Sequence, residues 1–352
     1  MDVLILVEAI GEAPAAAILG LITGLIFGVS AQRSRFCLRA ATVEFAQGRL
    51  DDKVTVWFLT FSTAVVWVQL ASIMGLMNPA DARMMAVPGS WSGAIIGGLI
   101  FGVGMVLARG CSGRLLVLAS TGNLRSLVLG LVFAVVAQMS LKGWLAPVRD
   151  ELAGIWITSG GRNMDLLAAI HMPEYGGLAI GLAFAAIGLF LARKNRISAR
   201  RLIFGAGVGF SVAVGWVLTY ELSLVAFDPV QIESATFTGP SAHTLMFFLD
   251  RSAVLEFDVG LVPGVVIGAF LASVLSGEFR FQGFEGEANM RRALSGAALM
   301  GFGGMLAGGC AIGAGVTGGS IFEGTAWLAL FCMWIGAMVT TQLMRRMHVA
   351  VA

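Results

Sequence analysis

Apolar positions along this chain gather into runs close to 20 residues long, separated by short polar, glycine-rich or basic stretches. Runs of that length predict membrane-spanning helices. Nine can be marked, at 13–31, 54–77, 91–108, 123–145, 175–192, 202–220, 259–276, 291–307 and 324–344. The shorter ones are marginal alone and gain support from their neighbours. The pattern predicts an all-α polytopic membrane protein forming a single integral membrane domain over 1–352.

The polar punctuation orients the spans, because short cytoplasmic loops carry an excess of Lys and Arg. The densest basic run is Arg193–Arg201, RKNRISARR. Arg33, Arg35, Arg39, Arg49, Lys53, Arg109, Arg114, Arg125, Arg280, Arg291, Arg292, Arg345 and Arg346 fall on the same side of a nine-span chain. The N-terminus is therefore expected outside and the C-terminus in the cytoplasm. Lys142 and Arg149 are exceptions. The outside connections 146–174 and 221–258 carry Asp150, Glu151, Glu221, Asp228, Glu233 and Asp250, and read as a solvated periplasmic cap.

Composition agrees: 57% of residues are hydrophobic and 12% charged, with mean hydropathy +0.86, against roughly 25% charged in a soluble domain. The N-terminal MDVLILVEAIGEAP lacks a basic leader region and reads as mature protein. Cys37, Cys111, Cys310 and Cys332 form no CxxC, so a zinc or iron–sulfur site is not expected. His171, His243 and His348 are too scattered for haem. No cofactor, metal or nucleic-acid partner is expected.

Two stretches break the apolar regularity. Arg109–Arg114, RGCSGR, and Gly308–Ser320, GGCAIGAGVTGGS, each place one cysteine in glycine-rich backbone directly after a span. Such backbone is tolerated at membrane depth only when buried in protein or lining a polar cavity. The preceding segments align without a gap, GVGMVLARGC (102–111) against GFGGMLAGGC (301–310), with six of ten positions identical. The spans carrying them run in opposite directions. Similar sequence in opposite orientation predicts an inverted repeat with a site near the bilayer midplane. The pseudo-repeats would cover roughly 13–170 and 200–344, joined by the basic loop near 193–201. Leu115–Ser120 and Ala314–Ile321 then read as half-helices or re-entrant turns. Ser34–Gln47, with Cys37, and 234–248, broken at Gly239-Pro240, are two further candidates.

Half-helices that start at mid-membrane aim free N–H groups at the cavity, which suits an anion. Gly110, Gly113, Gly309 and Gly313 would let backbone approach the solute, and neither stretch contains Asp or Glu. A cation site would want carboxylates. A buried thiol is a weak donor with a soft, polarizable surface, and fits an anion whose charge lies partly on sulfur or selenium. Cys332, inside a regular span, reads as structural. Arg109 and Arg114 flank Cys111 and are candidate anion contacts, although positive-inside topology would also place them there.

FGVSAQRSRFC (27–37), LARGCSGR (107–114), TFTGPSAHTL (236–245) and LAGGCAIGAGVTGGS (306–320) together resemble the YeeE/YedE family of bacterial sulfur transporters. The resemblance implies an inner-membrane, hourglass-like protein of nine spans whose in-going loops meet from both faces. It also implies thiosulfate uptake along a substrate pathway of Cys37, Cys111 and Cys310. Arg109 departs from the usual Gly-Gly-Cys, and the spacing after Cys111 is one residue shorter than after Cys310. A selenium compound is an alternative substrate, and a membrane thiol oxidoreductase or sulfurtransferase an alternative activity. A narrow channel for a neutral solute is a third. No sulfur-carrier domain is expected to be fused after RRMHVAVA, and a separate cytoplasmic sulfur carrier is a candidate partner.

Overall fold

The computed structural model describes residues 3–283 and 286–347, so His348 lies outside the described residues. Sixteen α-helices account for most of the described chain. In order they are α1 (Val3–Ile10), α2 (Glu12–Ser34), α3 (Leu38–Ala46), α4 (Asp52–Ile73), α5 (Arg83–Ala86), α6 (Trp91–Leu107), α7 (Ser112–Ser120) and α8 (Leu124–Lys142). Then follow α9 (Ala146–Gly154), α10 (Leu166–Ala169), α11 (Gly176–Lys194), α12 (Ala199–Val225), α13 (Thr238–Leu249), α14 (Phe257–Leu275), α15 (Glu287–Leu306) and α16 (Gly324–Arg346). A π-helical turn, Gly313–Gly318, stands between α15 and α16. The described residues contain isolated bridges and no strand.

Each predicted span falls on a long helix. Eight helical stretches are long and apolar enough to cross a membrane. The remaining one, α15, begins with Glu287, Arg291 and Arg292 and packs between α6 and α8. Large apolar side chains such as Phe190, Ile203 and Phe331 are well exposed, as expected of surface facing lipid. Trp144, Trp156 and Tyr175 stand exposed near the ends of α8, α9 and α11, where an aromatic belt forms.

Hydrogen bonds sort the connections onto two faces. On one, Glu12 accepts from the Phe227 and Asp228 amides, Arg83 N–H reaches Ile232 O, and Ser90 pairs with Ile157 and Asp165 with Glu323. On the other, Asn195 donates to Leu50 O, Arg201 pairs with Asp52 at 2.7 Å, and Asn123 pairs with Gln282. The first face carries the long connections; the second carries the RKNRISARR loop.

Glycine lets these helices touch backbone to backbone, as is common where no hydrophobic gain drives helix association. Gly20, Gly24 and Gly28 of α2 interleave with Gly260, Gly264 and Gly268 of α14, the two running parallel. Helices α6 and α15 run antiparallel, and here the two sequence copies meet. A methyl at Gly97 would lie 2.5 Å from Ala307 N and 2.6 Å from Gly303 O. At the aligned Gly296 it would lie 2.5 Å from Ala108 N and 2.7 Å from Gly104 O. Each contact maps onto its counterpart when the copies are exchanged, as an antiparallel pseudo-two-fold requires. The correspondence continues outward. Gly102 faces Met333 and Ala337 of α16, while Gly301 faces Phe133 and Ala137 of α8, which align after a one-residue insertion in the second copy.

Candidate functional site

Three cysteines stand at the starts of broken elements. Cys37 precedes α3 and Cys111 precedes α7, each in extended conformation; Cys310 precedes the π turn. Turns with positive φ lead into all three: Arg35 (56°), Arg109 (59°) and Gly308 (78°). Gly308 aligns with Arg109, so the same left-handed corner is built once from glycine and once, at greater conformational cost, from arginine. The Gly313 amide donates to Cys310 Sγ at 3.4 Å. The Ala40 and Arg114 amides face the Cys37 and Cys111 sulfurs without closing a full cap bond. At Cys310, sulfur thus takes the place of the usual capping oxygen.

The expected half-helix 314–321 is a π turn, with Thr317 N–H and Val316 N–H both reaching Ile312 O. The fourth broken element differs from expectation in another way. Gly239 and Pro240 do not break a helix; they lie in the first turn of α13, where proline's missing N–H is no loss.

The structure brings these elements together at the centre. The Cys37 and Cys111 side chains lie close enough to interact, and Cys310 lies near Cys111. Cys111 and Cys310 are buried, Cys37 half-buried. The Arg114 charge lies near both Cys37 and Cys111, and its Nη1 is buried without a partner. So is the Ser112 hydroxyl. Cys310 instead meets Thr236, Oγ1 to Sγ 3.9 Å. Between the two half-sites the Phe237 ring and Ile312 close over Gly113; a side chain there would begin 3.1 Å from the ring. Phe27 backs Phe237 at 4.9 Å. Gly110 packs against Leu115, and Gly309 against the Ala314 amide. Arg109 falls toward the basic side, near Arg39. Cys332 packs against Gly98 at the α6–α16 contact and takes no part.

A vestibule of about 670 Å³ opens on the face of the long connections. Its floor is Thr236, Thr238, Gly239, Gly304, Gly308 and Gly309, immediately above Cys310. Arg83, Lys142 and Arg149 lie in its wall, giving the two basic exceptions of the sequence a place on the approach. The solvated acidic cap needs correction. Glu233 and, at the start of α14, Asp258 are buried in that wall. Burial and the nearby Asp258 push the Glu233 carboxyl well above the usual range, Arg83 stands 3.7 Å away, and His243 Nδ1 pairs with Asp258 at 2.9 Å. Sequence reading passed over Thr236, Thr238, Asp258 and Glu323; the available signal was polar residues in otherwise apolar, glycine-rich surroundings.

Helices of membrane-crossing length, broken elements converging on one centre, and a vestibule leading to it define a multi-pass transport protein. The chain belongs to the sulphur-transport family, whose profile matches residues 33–339. It is 26% identical over 336 residues to the thiosulfate transporter TsuA of Escherichia coli (strain K12), covering 92% of this chain and 93% of that protein. To the thiosulfate transporter TsuA of Spirochaeta thermophila it is 25% identical over 337 residues, covering 90% and 96%.

Proposed function

We propose that this protein is a bacterial inner-membrane permease that takes up thiosulfate, or a closely related sulfur anion, along Cys37, Cys111 and Cys310. The observation that carries this reading is the convergence of three cysteine-bearing element starts between the vestibule and the basic face. The names of both relatives, thiosulfate transporters, support the substrate. The long connections then face the periplasm with the N-terminus, and the RKNRISARR loop and C-terminus face the cytoplasm. The two pseudo-repeats, roughly 13–170 and 200–344, form one membrane domain.

The anion enters the vestibule and meets Cys310 first. Its soft terminal sulfur contacts successive thiols, while backbone N–H groups at the element starts and the Arg114 guanidinium offset the oxyanion end. No covalent intermediate is needed. Several weak contacts serve conduction better than one tight one, since the solute must also leave. A soluble sulfur carrier on the cytoplasmic side would accept the product of uptake.

Growth on thiosulfate as sole sulfur source tests this. The host is a bacterium without sulfate and thiosulfate importers, carrying wild type, Cys111→Ala or Cys310→Ala. Wild type rescues growth, and neither variant does although both reach the membrane. Rescue by both variants would eliminate the thiol pathway; no rescue by wild type would eliminate thiosulfate as substrate.

A further inference from the structure

We propose that Thr236 and Thr238, at the start of α13, form an oxyanion subsite on the vestibule side of Cys310. The proposal rests on the permease reading for the identity of the solute, a tetrahedral oxyanion with one soft sulfur. Its basis is a fourth element start beside the three that carry cysteine. Thr236 stands to Cys310 as Cys37 stands to Cys111: a residue at the start of one element placed close to the cysteine of another. Where the cytoplasmic side has a second sulfur, the vestibule side has a hydroxyl.

Helix α13 spans twelve residues and starts without a side-chain cap, so the first-turn N–H groups of Thr238 and Gly239 have no intrahelical acceptor. The Thr238 residue is 2% exposed, and its Oγ1 is buried with no hydrogen-bond partner. An orphaned buried hydroxyl is costly and calls for an explanation. This one lines the vestibule floor beside Thr236, Gly308 and Gly309. Gly304 makes its room: a side chain there would begin 3.0 Å from Oγ1. The Asp258 carboxylate behind Gly239 is turned to His243. Hydroxyl and amide donors so placed take the oxygen end of the anion while its sulfur meets Cys310. They are neutral, so they hold it weakly enough to pass it on.

Uptake of labelled thiosulfate is measured with wild type, Thr236→Val, Thr238→Val, Thr238→Ser and Gly304→Ala, counting only protein present in the membrane. The expected result is a KM about tenfold higher in both valine variants, the loss of one hydrogen bond. Thr238→Ser stays near wild type, and Gly304→Ala, which crowds the hydroxyl without removing it, follows the valines. Unchanged KM in both valine variants overturns the subsite and leaves the permease reading standing. If wild type takes up no thiosulfate, that reading falls, and calorimetric titration of the purified protein with sulfate decides the subsite. Sulfate has four oxygens and no soft sulfur: binding lost in Thr238→Val supports the subsite, and no binding to wild type overturns it.

Discussion

Cys111 and Cys310 lie on matching backbones and in different chemistry. Each follows a left-handed corner, at Arg109 and Gly308, and each sits where α6 or α15 gives way to a broken element. After Cys111 come Ser112, Gly113 and Arg114; after Cys310 come Ala311, Ile312, Gly313 and Ala314. The Cys111 half-site therefore has a buried guanidinium and a second thiol. The Cys310 half-site has amides, glycines and the Thr236 hydroxyl. A pseudo-two-fold scaffold can thus carry an asymmetric path, with neutral donors on the vestibule side and fixed positive charge toward the basic face. For an anion, that asymmetry favours passage toward the charge.

Removing the charge should break the comparison most severely. Arg114→Met is expected to lower thiosulfate uptake about ten- to hundredfold, the range of a hydrogen bond to a charged group at ~1.5–3 kcal/mol. Arg114→Lys restores part of it, since lysine keeps the charge without the planar fork. Uptake assays on protein quantified in the membrane decide this, and equal uptake by Met and wild type would make the two half-sites electrostatically equivalent.

The paired glycines sharpen the comparison. A methyl at Gly313 would collide with the Thr236 hydroxyl, whereas at Gly113 it would lie 3.1 Å from a Phe237 ring carbon. Gly313→Ala should lower uptake about tenfold by displacing Thr236 from Cys310, and Gly113→Ala by only about two- to threefold, because a ring edge can shift. The reverse order of effects would place the narrow point at the Phe237 ring.

The shared scaffold is tested by stability. Gly97→Leu or Gly296→Leu puts a large side chain into backbone contact, and overpacking of this kind costs about 1–3 kcal/mol or more. Both should lower the melting temperature in detergent by similar amounts, since the two positions are equivalent. A large effect at one alone would break the equivalence.

The smallest expected effect concerns pH. Burial raises the Glu323 carboxyl to about 7 from an ordinary 4.5. Its Oε1 accepts from Asn163 at 2.6 Å and Thr325 at 2.8 Å, and Oε2 is buried without a partner. Between those values the folded chain holds a proton that the unfolded chain has lost, so stability falls as pH rises through that window. Glu323→Gln should flatten this part of the melting-temperature profile and raise it above pH 7. A profile unchanged by the substitution would place the slope elsewhere.

The spans, the basic face and the kinship of GVGMVLARGC with GFGGMLAGGC were all legible in the chain, because each is a local or periodic property. Apolar run length answers to bilayer thickness, and irregular backbone must hide from lipid, so the cysteine-bearing stretches could be singled out before any contact was known. Gly239-Pro240 was misread as a break because proline at a first helical turn and proline at a kink look alike in one dimension. Glu233 was misread as solvated because loops usually are. Only tertiary structure could set Cys37 against Cys111, turn Thr236 toward Cys310, leave the Thr238 hydroxyl and Arg114 Nη1 without partners, and lay Phe237 across Gly113. Those relations join residues far apart along the chain, and no hydropathy period or local motif encodes which surfaces meet. Helix-to-helix packing decides that, and here it rests on glycines that let one backbone lie directly against another.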